Sequence, residues 1–194
     1  MSKVAIVNKA LTHLGAARIT SLSDDSVESQ SASNMYNQSL RSVLAECDWK
    51  FATKKVLLNK LDIEPAWNND GKLYYYQLPD DFVEIFGVMD GSAKWEREGE
   101  TILTDAAKTF GIKYVYFCDN TSLYTPSFID AFACKLAADM CYELTNSESK
   151  TMNLLQLYKG EYLPVARTKN ARAGNLPKIK DDHWVKSVTG IIYD

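Results

Sequence analysis

The sequence has few of the patterns that mark a catalytic or membrane-spanning chain. Its 194 residues hold two histidines, His13 and His183, and four scattered cysteines, Cys47, Cys118, Cys134 and Cys141. There is no Cys-x-x-Cys pair, so the redox and zinc patterns that need one are missing. The thiols read as reduced, small buried hydrophobes. Asp181 and Asp182 stand beside His183, but adjacent residues cannot supply tetrahedral ligand spacing. His13, near the end of an expected helix, reads as a surface or satisfied histidine. The nine glycines fall singly, at turns. No glycine-rich phosphate loop and no Gly-x-Ser-x-Gly elbow occurs. No catalytic residue, metal ligand or cofactor is therefore expected.

Positive charge and long apolar runs are also scarce. Lys and Arg number 22 against 25 Asp and Glu, a net charge of −3. A protein that grips DNA through its phosphates needs clustered positive charge, which disfavours a DNA-binding regulator. The most basic stretch is Arg167 to Arg172. No apolar run approaches the ~20 residues that span a bilayer. The opening Met-Ser-Lys-Val-Ala-Ile-Val-Asn-Lys is broken by Asn8 and Lys9 and does not read as a signal peptide. The chain is expected in the cytoplasm, without a membrane partner.

Aromatics are plentiful, 11% of the chain with eleven Tyr, which suits surfaces that other subunits cover. Trp49, Phe51, Trp67, Tyr74, Tyr75, Tyr76 and Trp95 could form a stacking platform. The favoured reading is a sheet face packed on helices, or a subunit interface. Tyr74-Tyr75-Tyr76 alternates across a strand, so both faces should be at least partly covered, as in an oligomer. Paired carboxylates for glycoside hydrolysis need only the right separation in space. Asp80-Asp81 and Glu98-Glu100 are the candidates, with solvated turns as the plainer reading.

The hydrophobic pattern predicts helices over about 2–14, 26–47, 126–144 and 147–171. Gly15 sits where a left-handed cap is wanted, and Thr125-Pro126 is a cap followed by Pro at the first helical position. The third helix carries the stripe Phe128, Ile129, Phe132, Leu136, Met140 and Leu144. Pro164 predicts a kink in the fourth. Between about 54 and 118 the period falls to two. Strands are expected at 54–61, 72–78, 83–90, 93–98, 101–104 and 111–118. Asp90-Gly91 and Glu98-Gly99-Glu100 are hairpin signals, and Leu78-Pro79-Asp80-Asp81 is a turn. The expected fold is α+β: an antiparallel four-helix bundle with a small antiparallel β-sheet inserted between the second and third helices. Residues 1–172 would form one domain and 173–194 an extended tail, polar at first and apolar at its end.

The order of these motifs resembles the tail tubular protein A family, the head-to-tail adaptors of podoviruses and related prophages. The likeness begins at Ala5-Ile6-Val7-Asn8-Lys9-Ala10-Leu11-Thr12-His13-Leu14-Gly15, then Ile19-Thr20-Ser21-Leu22 and Asp24-Asp25. It continues through Asp48-Trp49-Lys50-Phe51-Ala52, Tyr76-Gln77-Leu78-Pro79-Asp80-Asp81-Phe82 and Glu98 to Asp105. It closes on Phe128-Ile129-Asp130-Ala131-Phe132 and Leu144 to Lys150. It covers roughly residues 5 to 172.

The resemblance implies a structural virion protein of the neck. Such a protein would be a monomer in solution and assemble as a ring of twelve under the portal. The ring would extend the DNA channel, let double-stranded DNA pass without specific binding, and carry the tail nozzle. An acidic wall suits a conduit, because it repels phosphates. The alternatives are another neck or tail-completion protein, or a carboxylate-based polysaccharide-degrading tail protein. Candidate portal-docking residues are Trp184, Val185, Ile191, Ile192 and Tyr193. Arg167, Lys169 and Arg172 are candidates for electrostatic contact with the portal or a neighbour.

Overall fold

The computed structural model describes residues 1–67 and 70–174. Five α-helices and seven strands follow in the order α1, α2, β1–β7, α3, α4, α5. Helix α1, Lys3–Leu14, starts where the Ser2 hydroxyl accepts the Ala5 N–H. It ends at Gly15, whose φ of 66° only glycine adopts freely. Helix α2, Val27–Ala45, is capped by Ser26, and α3, Pro126–Thr145, by Thr125 with Pro126 behind it. Helix α4, Glu148–Leu157, is capped by Ser147. It continues through a π turn, Tyr158–Tyr162, into α5, Leu163–Arg172.

The helices are not the four-helix bundle the periodicity predicts. Helices α1, α2, α4 and α5 all pack on α3. Twelve of its residues are buried, including the four consecutive residues Ala131, Phe132, Ala133 and Cys134. At 3.6 residues per turn, four consecutive buried positions take in most of the circumference, leaving a strip of Lys135, Asp139 and Tyr142 partly open. The expected stripe of large residues is one face of α3. Ala131, Ala133, Cys134, Ala137, Ala138 and Cys141 make up the rest, and their small side chains let the other helices close in. Just before Pro164, where a kink is expected, the helix widens into the π turn. There the Leu163 N–H reaches five residues back to the Tyr158 carbonyl.

The single small sheet is also corrected. There are two antiparallel sheets. The first has the order β1 (Thr53–Leu57), β7 (Gly111–Tyr116), β4 (Phe82–Val88). The second has the order β2 (Asn59–Lys60), β3 (Tyr74–Gln77), β6 (Thr101–Thr104), β5 (Trp95–Glu98). The strand expected at 54–61 breaks at Leu58, whose N–H goes to the Phe110 carbonyl at 2.8 Å. Beyond it the chain pairs with β3 rather than β7. Asp90-Gly91 likewise makes no hairpin. It carries the chain from β4 in one sheet to β5 in the other, with Asp90 accepting the Ser92 N–H at 2.9 Å. Glu98-Gly99-Glu100 does make a hairpin, pairing Glu98 with Thr101 around a Gly99 φ of 60°.

The first sheet is the middle layer. Val115 belongs to the helical core. Its neighbours Ile112 and Tyr114 belong to a second core with Leu58, Tyr76, Leu78, Ile102 and Phe110, between the sheets. Alternation along β7 thus feeds two cores. Trp49 secures the joint between helices and strands. It is wholly buried, donates its indole N–H to the Val43 carbonyl at 2.8 Å, and meets Phe128 edge-on at 4.9 Å. Trp49→Ala is expected to cost about 3–5 kcal/mol in urea unfolding, with Trp49→Phe falling well short of that loss.

Candidate functional site

The fold places the expected contact residues unevenly. Trp184, Val185, Ile191, Ile192 and Tyr193 lie outside the described residues, as does His183. Arg167 is already engaged within the chain. Its guanidinium meets the Glu46 carboxylate at 2.7 Å and the Glu46 carbonyl at 2.6 Å, tying α5 to the end of α2. Lys169 and Arg172 are exposed on the last turns of α5.

The four candidate carboxylates are divided between settings. Asp81 accepts the Tyr114 hydroxyl at 2.9 Å and pairs with Lys54 at 2.6 Å. Glu98 accepts the Tyr75 hydroxyl at 2.8 Å. Asp80 and Glu100 line a separate cleft of about 340 Å³ with Arg41, Gln77, Phe82 and Arg97. In it Arg97 stacks on the Phe82 ring at 4.7 Å, and Arg41 donates to the Phe82 carbonyl at 3.3 Å. Among the described residues no group of three His, Cys, Asp or Glu could hold a metal ion. No described helix is long and apolar enough to cross a membrane. His13 is half-buried against the Tyr162 ring at 5.9 Å, and burial, then Lys9, lower its pKa against the pull of Asp130. The cysteines are free, and burial pushes the Cys134 thiol up to about 11.

The aromatic residues form no single platform. Trp49 and Phe51 pack with Tyr124 and Phe128 beside the helical core. Tyr76 is buried between the sheets and hydrogen-bonds the Ala106 carbonyl. Tyr74 lies under the Lys60 ammonium at 4.0 Å. Tyr75 shares a small hollow with Pro65, Ala66, Trp67 and Leu103. The chain itself therefore covers both faces of this strand, and no oligomer is needed for that. Trp67, 74% exposed, and Trp95, 39% exposed, remain open.

One surface escaped the sequence reading. On the helix-facing side of the first sheet, β1, β7 and β4 run past the helical layer. Leu57 and Met89 are each 60% exposed there, and Gly87 and Gly111 supply no side chains between them. Lys55 and Lys113 face each other across the strands in the same groove. Further apolar side chains stand open elsewhere: Ile63 and Leu73 by the second sheet, Val27 and Tyr142 on α2 and α3, Met152 and Val165 on α4 and α5.

No protein-family model matches the chain, and no curated protein matches it.

The Asp81 carboxylate links β1 and β7 and makes a testable contribution. Burial raises its pKa, but the hydrogen bonds from Lys54 and Tyr114 and the Lys54 charge outweigh it, leaving the pKa below the ordinary value. A carboxylate depressed in the folded state adds stability above its unfolded pKa, about 3.9. That stability is lost as pH falls through the folded value. Asp81→Asn is expected to lower the melting temperature at pH 7 and to narrow the gap to wild type as the pH is taken below about 4. Melting curves of both chains across that range check it.

Proposed function

We propose that the protein is a structural component of a virion, a head-to-tail adaptor that forms a ring under the portal. The ring extends the DNA channel and offers a platform for the tail nozzle. Its place is the neck of the particle, reached from the host cytoplasm during assembly. The reading rests on the ordered run of motifs from residue 5 to residue 172. In the fold those motifs are joints. Asp48-Trp49-Lys50-Phe51-Ala52 turns α2 into β1, and Trp49 fills the seam. Leu78-Pro79-Asp80-Asp81 carries the chain from the second sheet to the first, closing with the Phe82 N–H on the Pro79 carbonyl at 3.0 Å. Leu14-Gly15 ends α1, and Asn146-Ser147 ends α3 and caps α4.

The surface supports the same reading. A subunit in a closed ring uses two different faces, one for each neighbour. This chain has exposed apolar side chains on several separate elements. A conduit wall gains from the net negative charge, which disfavours adhesion of DNA phosphates. Trp184, Val185, Ile191, Ile192 and Tyr193 are assigned to the portal contact. Lys169 and Arg172 are assigned to acidic surfaces of the portal or a neighbour.

Mixing the purified chain with its portal ring tests the proposal. Light scattering after size exclusion is expected to show a light free species and twelve copies on the portal. Absence of association across the accessible concentration range would reject the adaptor role.

A further inference from the structure

The overhanging end of the first sheet carries a built groove. Leu57 pairs with Gly111 across the strands, and the Met89 N–H binds the Gly111 carbonyl at 2.8 Å. A Cβ at Gly111 would meet Leu57 Cδ2 at 3.0 Å and Met89 Cβ at 3.2 Å. The two apolar side chains thus cover Gly111 and border a hollow of about 540 Å³, whose floor is left open at Gly87, where a Cβ would meet only Lys113 Cβ at 3.8 Å. Exposed apolar walls beside an open floor are what an apolar side chain from elsewhere would fill.

The charges beside this groove are incomplete. Lys55 and Lys113 are cross-strand partners, and like charges directly opposite destabilise a sheet. Asp48 compensates Lys113 at 2.6 Å. Lys55 has no ion-pair partner among the described residues. The site asks for an acidic group followed closely by an apolar one.

The chain carries that sequence and leads towards the place. Asp181-Asp182-His183-Trp184-Val185 puts two carboxylates just ahead of an indole. The end of α5 is fixed at the seam between the helices and the first sheet, near the Lys113 edge of the groove. Asn170 donates to the Asp48 carbonyl at 3.2 Å and accepts the Lys50 N–H at 2.9 Å. A Cβ on Gly174 would lie 3.0 Å from the Lys50 ammonium. Asp48 is the same residue that holds Lys113, and Gly111 is two residues further along β7, about 7 Å away. The nine residues from 175 to 183 reach about 30 Å when extended, ample for the span.

We infer that Asp181–Val185 docks on the chain's own first sheet, with Trp184 over Gly87 against Leu57 and Met89 and the two aspartates beside Lys55 and Lys113. This does not depend on the adaptor role, since a chain with another task would hold the same contact. Within that role, a partner that takes Trp184 also bares Leu57 and Met89.

The full chain labelled with ¹³C at its five methionine methyls tests it, with the Met89 signal assigned through Met89→Leu. The indole ring current is expected to displace the Met89 methyl from its position in Trp184→Ala. Leu57→Ser is expected to cancel that displacement, the displacement should persist on dilution, and the buried Met140 signal should hold still in both variants as the folding control. An unchanged Met89 signal in Trp184→Ala would overturn the inference. So would a displacement that fades on dilution, because the occupant would then belong to a second copy.

Discussion

Everything in this fold hangs on α3 being buried around most of its circumference, with only the strip of Lys135, Asp139 and Tyr142 left partly open. A helix with Ala131, Phe132, Ala133 and Cys134 all buried in succession cannot rest on a surface. It has to be enclosed, and α1, α2, α4 and α5 enclose it. Small side chains permit close approach where the large ones, Phe128, Phe132, Leu136 and Met140, fill the gaps. Polar contacts then fix how α2 lies along it. The buried Ser39 hydroxyl donates to Asp139, and the buried Ser31 hydroxyl donates to Glu143. Buried hydroxyls left without acceptors are costly, so these pairs set a register that apolar packing alone would leave loose.

The strands depend on the same helix at one remove. Phe128 near the start of α3 meets Trp49, Phe51 and Tyr124, and these residues seat the beginning of β1 and the end of the β region against the helices. From that seam the first sheet runs outward as a middle layer, with helices on part of one face and the second sheet on the other. Its far end outruns the helical layer. Leu57 and Met89 are exposed for that geometric reason, and the proposed contact with Asp181–Val185 would cover them.

Local signals were legible in the sequence where the chemistry is local. Ser2, Gly15, Thr125 and Pro126 mark helix ends because caps and left-handed turns select particular side chains. The Glu98-Gly99-Glu100 hairpin is of the same kind. The architecture was less legible. Alanine and cysteine fit a buried face and a neutral one equally well, so α3 looked one-sided. Val56-Leu57-Leu58-Asn59 reads as one strand, since nothing local tells Leu58 that its partner is Phe110. The pairing of Arg167 with Glu46 was not legible because the two are 121 residues apart. Period two marked β1 and β4 as strands, but told neither the two bulges of β4 nor where the sheet would pass beyond the helices.

The adaptor proposal makes a geometric demand that goes beyond composition: identical copies must close around an axis through contacts between unlike faces. Electron-microscopic class averages of the portal incubated with this chain test it most directly. The account predicts a continuous ring of added density at one end of the portal, coaxial with its channel and sharing its rotational symmetry. Bare portals, or copies bound singly at the flank without closing a ring, would contradict it.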